Sequence, residues 1–427
     1  MSQSNPSTPP GQGGPFDVLL RGGHVIDPAN GRDGVADVGI ADGKIARIGP
    51  DLDAAAAKQV VDVSGLYVTP GLIDIHVHVY PKRGPDAPGF QASVIPDAHS
   101  FRAGVTTFVD AGTAGADHFA DFKQTWIDTA RTRVLSFVNI ARGSMGDAEQ
   151  DPGQFDVERA AAVVAEYPDV AVGIKTAHYW TRQPWDDVHT PWASVDAAVR
   201  AGERSNTPVM VDFWPRPPER PYPDLVLEHM RPGDIHTHVF AQQFPVLTAE
   251  GRERSDPRVA DHMWKARERG VLFDLGHGGG SFWFRNAVPA LRGGFPPDSI
   301  STDLHMGSVN AAVLNTLHTA SKCLAMGMPL QEVIYRTTVT PARAIRRPEL
   351  GTLSEGAEAD VAVLRLLPGP ASYIDCGRAR LDGEGRLECA MTLRAGRIVW
   401  DPTGYSMPGW EEAPDRYWVV PNLQNAG

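Results

Sequence analysis

The middle of the chain alternates short apolar runs with longer amphipathic segments, and this rhythm limits the fold more than any other feature. Eight runs are typical of buried strands: GLIDIHVHV, GVTTFVDAG, RVLSFVNIARG, VAVGIKTAH, TPVMVDFW, GDIHTHVFA, GVLFDLGHG and SISTDLH. Stretches with helical periodicity, such as ERAAAVVAEYP, separate most of them. Strands that are apolar on both faces and alternate with helices form parallel sheets covered by helices. The sequence therefore predicts an α/β protein with a (β/α)8 TIM barrel.

An open, doubly wound sheet is the main alternative to the barrel, but no GxGxxG follows the first strand to support its dinucleotide-binding form. The two ends of the chain have a different texture. FDVLLRGGHVID near the start and CAMTLRAGRIVWD near the end alternate apolar and polar residues between glycine turns. We therefore expect a discontinuous, small β-sandwich over residues 16–68 and 350–427, a barrel over 69–349, and a disordered tail over 1–15.

Composition excludes several classes of partner. The formal net charge of -12 disfavours nucleic acid and anionic membranes, which attract basic surfaces. No apolar run approaches the roughly 18–20 residues of a membrane helix, and the start lacks the pattern of a signal peptide. Cys323, Cys376 and Cys389 have no CxxC spacing, which argues against a disulfide framework or a thiolate zinc site. We expect a cytoplasmic protein that acts on a small molecule.

Ionisable side chains recur where the predicted strands end. These strand-end residues are His76 and His78, Lys175, Asp212, His236 and His238, Asp274 and His277, and Asp303. In a barrel, the chemistry is carried at the carboxyl ends of the strands. A lone buried histidine is usually a packing residue, but burying several unpaired ionisable groups costs several kcal/mol each. Their recurrence favours a metal centre.

Histidine nitrogens and carboxylate oxygens suit a zinc-like ion. Two such ions about 3.5–4 Å apart can share a water molecule and lower its pKa, as in many hydrolases. Lys175 is the exception in this set, because an ammonium group repels a cation. It becomes a ligand only if carbon dioxide carbamylates its amine, which converts the cation into a bridging anion.

At these residues the sequence resembles the amidohydrolase superfamily, from about residue 16 to 402. PGLIDIHVH is similar to the strand-one signature whose two histidines bind the more buried metal, and GIK resembles the strand-four segment with the carbamylated lysine. THVF resembles the strand-six segment and points to His238 rather than His236, which we expect either to support a ligand or to be structural. STD matches the strand-eight aspartate that binds metal and shuttles protons. FDLGHGGGSFWF and VNIARG fit the amidohydrolase/deacetylase, dihydroorotase-like branch.

The resemblance implies a divalent metal site, most simply with two zinc ions and a carbamate on Lys175. Its predicted ligands are His76, His78, Lys175, His238 and Asp303. Binuclear relatives end strand five in a histidine, whereas this chain has Asp212 there. Asp212 is then a ligand itself, or His178 replaces it, or the second site is weak or absent and one ion binds.

Two aromatic segments, YWTRQPW and FWPRPPERPYP, follow strands four and five. They predict either a preformed pocket for an apolar or aromatic substrate group or a subunit interface, and we expect a homo-oligomer. His277 is a candidate for substrate binding or a turn residue. Arg142, with Arg182 and Arg216, is suited to a substrate carboxylate. Further predicted substrate contacts are Tyr179 and Trp214.

The predicted reaction is hydrolysis of an amide, either N-acyl or cyclic, or of an ester. A metal-bound hydroxide attacks the carbonyl carbon, and Asp303 carries the proton to the leaving group. Two alternatives remain open at this point. One is a catalytically silent protein of this fold that serves in binding or assembly, and the other is a metal-dependent lyase or decarboxylase.

Overall fold

A computed structural model describes residues 15–84, 86–248 and 258–414. Most of the predicted tail, residues 1–14, and the end of the predicted sandwich, residues 415–427, lie outside the described residues. The described strands are β1 Phe16–Asp27, β2 Arg32–Ala41, β3 Lys44–Gly49, β4 Ala57–Asp62, β5 Tyr67–Pro70, β6 Leu72–Val77, β7 Val105–Gly115, β8 Arg133–Asn139, β9 Ala171–Thr176, β10 Val209–Val211, β11 Ile235–His236, β12 Leu272–Phe273, β13 Val361–Ile374, β14 Arg380–Arg394 and β15 Arg397–Trp400.

Helices follow most strands of the central region. They are α1 Pro96–His99, α2 Phe119–Phe122, α3 Val157–Glu166, α4 Ala193–Ser205, α5 Tyr222–Asp224, α6 Asp261–Glu268, α7 Phe284–Arg292, α8 Met306–Val309, α9 Thr316–Ala325, α10 Leu330–Thr337 and α11 Val339–Ala344. None of the described helices is long and apolar enough to cross a membrane.

Strands β6 to β12 form one parallel sheet in chain order. The eighth predicted strand is not a regular strand. Ser299 pairs with Asp274 beside β12, and Leu304 pairs with Val77 of β6, each through a single parallel bridge. Backbone hydrogen bonds continue along the β12 side as far as Thr302 O, and the left-handed φ of Asp303, 48°, then turns the chain before Leu304. The segment 299–304 therefore touches both edges of the sheet without forming a ladder.

Apolar residues pack on both faces of this sheet, as the continuous apolar runs predict. All six residues of β6 and of β9 are buried. One cluster includes Ile75, Val109 and Met210, and it is closed by residues that include Ile345, just after α11. Each buried side chain of this size contributes about 1.5–3 kcal/mol. The rigid sheet fixes the positions at which its carboxyl ends present side chains.

The two chain ends share a second sheet, with the order β15-β14-β13-β5-β1-β2-β3 and β4 paired to β1. The two chain ends join in this sheet because β13 pairs with β5. The sheet is mixed, since β1 pairs in parallel with β4 and β5 and antiparallel with β2. The β13–β14 hairpin reaches α9, where Leu387 N donates to Ser321 Oγ at 2.9 Å.

Candidate metal centre

A cavity of about 200 Å³ lies at the carboxyl ends of the parallel strands. Its wall brings together all the predicted metal ligands and a few further side chains. The lining residues are His76, His78, Phe90, Met145, Lys175, Ala177, His178, Asp212, His238, Asp303 and His305. The polar groups that the sequence places at separate strand ends therefore meet in one small space.

The two histidines at the end of β6 lie in an irregular stretch that faces this cavity. The pairing of β6 with β7 shifts register between Asp74 and Val77. Ile75, inside the shifted stretch, packs in the cluster under the cavity, whereas Val77 packs in the outer core. His76 and His78 lie on the opposite side from Val77 and face the cavity.

His76, His78 and Asp303 form the tightest group of possible ligands in the described residues, with their ligand atoms within 4.8 Å of one another. Asp303 Oδ1 lies 3.2 Å from His78 Nε2 and 3.6 Å from His76 Nε2. Ligand atoms bonded to zinc at 2.0–2.1 Å in a tetrahedron are about 3.4 Å apart. The spacing of these three groups therefore fits a single ion between them.

The protonation of His76 is fixed by a buried relay. Thr237 Oγ1 donates to Asp274 Oδ2 at 2.8 Å, so its oxygen accepts the Nδ1–H of His76, also at 2.8 Å. Ser299 and Ser301 donate to the same carboxylate. This leaves the Nε2 lone pair of His76 free to face the cavity. A carboxylate behind a ligating histidine is the usual support of a metal site.

His78 has a matching relay on the other side of the cavity. Thr113 Oγ1 donates to Asp110 Oδ2 at 2.8 Å and lies 2.8 Å from His78 Nδ1. His238 is held differently, because its Nδ1–H donates to Gly276 O at 2.5 Å. All three imidazoles thus point Nε2 into the cavity. No sequence motif marks Thr113 or Asp110 as part of the site, whereas Thr237 stands between two histidines in HTH.

Asp303 is held as a carboxylate. Burial opposes its ionisation, but when His76 and His78 are protonated their charges outweigh burial and keep the pKa of Asp303 well below its usual range. Its Oδ1 faces the two histidines. Its Oδ2 lies 3.9 Å from His305 Nε2 and faces Gly278, where an added Cβ would come within 2.5 Å of it. The two oxygens therefore have separate surroundings.

Lys175 is buried at the end of β9, with Nζ 3.4 Å from His76 Nε2. Burial lowers the pKa of Lys175, and the charges of Asp212 and Asp303 only partly offset this effect. Gly112 makes room for it, since an added Cβ there would lie 2.4 Å from Lys175 Cβ. The amine is therefore fixed among the ligand atoms.

Asp212 follows β10 directly, at the strand-five position of the predicted barrel. Its Oδ2 is 3.7 Å from His238 Nε2 and 3.5 Å from His178 Nε2. Glu149 Oε2 lies 3.2 Å from His178 Nδ1. The His178 side chain is more than half exposed, and the hydrogen bond and charge of Glu149 together with the charge of Asp212 raise the pKa of His178 to about 9. In the described residues these groups do not converge as tightly as the first three.

His236 is a packing residue rather than a ligand. Its ring packs against Phe244 at 4.7 Å and Tyr222 at 5.3 Å. Neither ring nitrogen has a hydrogen-bond partner among the described residues. Burial lowers the pKa of His236 to about 3, so the ring is neutral.

The predicted substrate-binding residues do not line the cavity. His277 turns away, with Nε2 2.7 Å from Lys322 Nζ. Arg142 is paired with Asp117 at 3.2 Å. Tyr179 is buried, and its hydroxyl donates to a backbone carbonyl. Sequence order places these side chains near the mouth, but their direction depends on local backbone geometry that spacing does not reveal.

Trp214 is exposed and does not line the cavity. The arginines of the two aromatic segments make their contacts within those segments. Arg216 donates to Trp180 O at 3.0 Å and stacks 4.3 Å from the ring centre of Trp185. The buried Arg220 lies over a loop aromatic and donates to a loop carbonyl. These contacts join the two predicted aromatic segments into one wall.

The carboxyl-terminal part of the chain, residues 303–400, matches the model of the amidohydrolase family. Deacetylase Atu3266 of Agrobacterium fabrum is 33% identical over 346 residues, which cover 78% of this chain and 79% of that protein. A deacetylase of Enterococcus faecalis is 30% identical and aligns over 90% of this chain and 99% of its own length.

Solved structures show the same relationship. The crystal structure of an adenine deaminase has a TM-score of 0.79 at 28% identity, covering 90% of this chain and all of the other. A dihydroorotase has a TM-score of 0.74 at 27% identity and equal coverage of this chain. These similarities extend over both sheets.

Fold and site together define a metal-dependent hydrolase of amide-type bonds, with the candidate ligands at the carboxyl ends of the parallel sheet. The chain belongs to the amidohydrolase superfamily, which confirms the prediction from its strand-end motifs. It is an enzyme that acts on carbon–nitrogen bonds other than peptide bonds. The alternative of a catalytically silent member is therefore wrong.

Proposed function

We propose that this enzyme removes an acyl group from a small N-acyl compound, or from the corresponding ester. The observation that carries the proposal is the convergence of His76 Nε2, His78 Nε2 and Asp303 Oδ1 on one cavity. Its deacetylase relatives, 30–33% identical over 78–90% of this chain, support an acyclic substrate. Dihydroorotase relatives, 26–31% identical over 81–90% of this chain, make a cyclic amide the second candidate.

The residues present fit a divalent metal, and zinc suits their nitrogen and oxygen atoms. His76, His78 and Asp303 would hold the first ion, and Lys175, His238 and Asp212 a second. A bound ion would lower the pKa of water and polarise the carbonyl group under attack. The relays behind His76 and His78 fit this role, because they keep both Nε2 lone pairs available.

Lys175 suits a carbamate better than an ammonium. A cation at 3.4 Å from His76 Nε2 would repel a metal, whereas a carbamate would offer two oxygens to it. Asp212 is our candidate ligand at the strand-five position because it already faces His238. His178 is the alternative, since Glu149 holds its Nδ1 and its Nε2 faces the cavity.

Asp303 is the proposed proton carrier. Its Oδ1 faces the histidines, so Oδ2 is the oxygen that takes a proton from the attacking water. The water oxygen bonds to the carbonyl carbon, and the carbon–nitrogen bond breaks. The proton on Oδ2 then passes to the leaving nitrogen, so the amine departs neutral.

The size of the cavity points to a small acyl group. At about 200 Å³ it is below the usual 300–1,000 Å³ of ligand pockets. Phe90, Met145 and Ala177 form the apolar part of its wall, and we assign the acyl contact to them in place of the four residues that the sequence suggested.

We also propose that residues 299–304 fill the eighth position of the barrel, because they touch both edges of the parallel sheet.

Asp303→Asn tests the proposal. The variant should lower kcat by about 10²–10⁴-fold, because the amide cannot accept the proton, while bound metal remains near the wild-type content. Metal is counted by mass spectrometry, and turnover is screened on N-acyl amino acids, cyclic amides and aryl esters.

Asp298→Asn is the matched control, since Asp298 lies at the other end of the same segment and bonds to Phe273 N and Arg267. It should keep full turnover. A near-normal rate for Asp303→Asn would remove Asp303 from the mechanism, and turnover of cyclic amides alone would reject the acyclic substrate.

A further inference from the structure

Lys322 of α9 is fully buried and has a complete set of hydrogen bonds. Its ammonium donates to His277 Nε2 at 2.7 Å, to Ala312 O at 2.5 Å and to Ile374 O at 2.8 Å. An ammonium has three donors, so each one is used. The acceptors come from three separate segments: the loop after β12, the loop before α9, and the end of β13. Lys322 therefore ties the second sheet to the catalytic end of the first.

His277 connects Lys322 to its own loop through a second hydrogen bond. An ammonium can only donate, so Nε2 of His277 is the acceptor and Nδ1 carries the hydrogen. That hydrogen is directed at Gly278 O, 2.9 Å from Nδ1. The ring stacks on Phe282 at 4.5 Å, which fixes its plane. His277 and Gly278 are thereby held in one arrangement.

Gly278 is in direct contact with Asp303. Its φ is 56°, and a Cβ added to it would lie 2.5 Å from Asp303 Oδ2. Its N–H donates to Thr302 O at 2.9 Å, beside the aspartate. The position of Gly278 thus limits where Oδ2 can lie.

We propose that Lys322 and His277 are positioning residues that hold Gly278 against Asp303 and so place Oδ2 for proton transfer. This inference rests on the proposed role of Asp303. Neither residue touches the cavity, so neither is a catalytic residue. A well-packed apolar side chain would avoid the desolvation cost of a buried ammonium, so stability alone is a poor reason for a lysine here.

Three variants test the inference. Lys322→Met removes all three donors at similar length, His277→Leu removes the acceptor, and His277→Gln keeps an acceptor near the position of Nε2. Lys322→Met and His277→Leu should lower kcat by about 10–100-fold with KM and metal content within about threefold of wild type. His277→Gln should recover most of the rate, and it keeps the test usable if Lys322→Met does not fold.

A double-mutant cycle separates positioning from loss of stability. If the pair acts as one unit, Lys322→Met/His277→Leu should be no slower than either single variant. Arg267→Met is the matched control. Its guanidinium is also largely buried and donates to a backbone carbonyl, but it sits beside Asp298 at the opposite end of the sheet. It should lower the melting temperature and leave kcat unchanged.

The inference is overturned if Lys322→Met and His277→Leu keep wild-type kcat and lose only thermal stability, as the control does. It is also overturned if their effects on kcat multiply in the double variant, because two independent residues would then be acting. A failure of the proposed function would look different, since Asp303→Asn would itself retain turnover.

Discussion

The chain carries the pattern His-X-His twice, and the two copies behave differently. His76 in β6 and His78 just after it both face the cavity, and a register shift between Asp74 and Val77 accompanies this turn of the chain. At β11, His236 packs among aromatic rings, while Thr237 supports His76 and His238 returns to the cavity with a φ of 63°. The comparison teaches that spacing alone does not define a half-site. What distinguishes the ligands is a hydrogen-bonded partner behind Nδ1.

The largest effect should come from the β6 pair. His78→Ala should lower kcat by at least about 10³-fold and reduce bound metal, because one of the three tightest ligand atoms is lost. Metal counting and turnover on the best substrate check this. If His78→Ala keeps its metal and its rate, His78 does not bind the metal and resembles the packing residue His236 in this respect.

The hydrogen-bonded relay behind His76 gives a second test of the difference between the two His-X-His copies. Thr237→Val keeps the shape of the side chain but removes the hydroxyl between His76 and Asp274. We expect metal affinity to fall by about 10–100-fold, since the imidazole loses its orienting partner. Competition with a chelator measures the affinity. Thr113→Val breaks the matching relay of His78 and should give a loss of similar size.

A smaller effect should follow from crowding Asp303. Gly278→Ala places a methyl group 2.5 Å from Oδ2 at a left-handed φ, so the carboxylate must move. We expect kcat to fall by about 10-fold with little change in metal content. Gly280→Ala, in the same loop, is the control because no described atom lies within 4 Å of its added Cβ. Equal rates for the two variants would contradict the close contact.

The smallest effect belongs to His236. His236→Phe should leave metal content and kcat unchanged, because the ring lies outside the cavity. The melting temperature should stay the same or rise slightly, since two ring nitrogens without a partner in the described residues are removed from an aromatic cluster. Calorimetry measures this. A loss of bound metal would show that both members of the β11 pair are ligands.

The placement of the candidate ligands His76 and Lys175 could be predicted because each lies near the end of an apolar run that folds as a buried strand. They meet in one cavity with Asp303, whose segment is not a regular strand. The prediction of a regular eighth strand was wrong, since the left-handed φ of Asp303 turns the backbone within that segment. This φ turns the carboxylate at a position where spacing indicates only a strand.

The substrate contacts could not be predicted because they lie in loops. Tyr179 and Arg142 found partners within the protein, whereas Phe90 and Met145, which no motif marks, reached the cavity. Side-chain direction in a loop depends on which carbonyl or carboxylate lies nearby after folding. Sequence spacing contains no such information.

The metal content of the wild-type protein and of His78→Ala, measured together, tests the central claim most directly. We predict one or two divalent ions per wild-type chain, a clear loss in His78→Ala, and wild-type content in His236→Phe. Wild-type protein purified with excess zinc that holds no stoichiometric metal would contradict the account. An unchanged metal content in His78→Ala would contradict it equally.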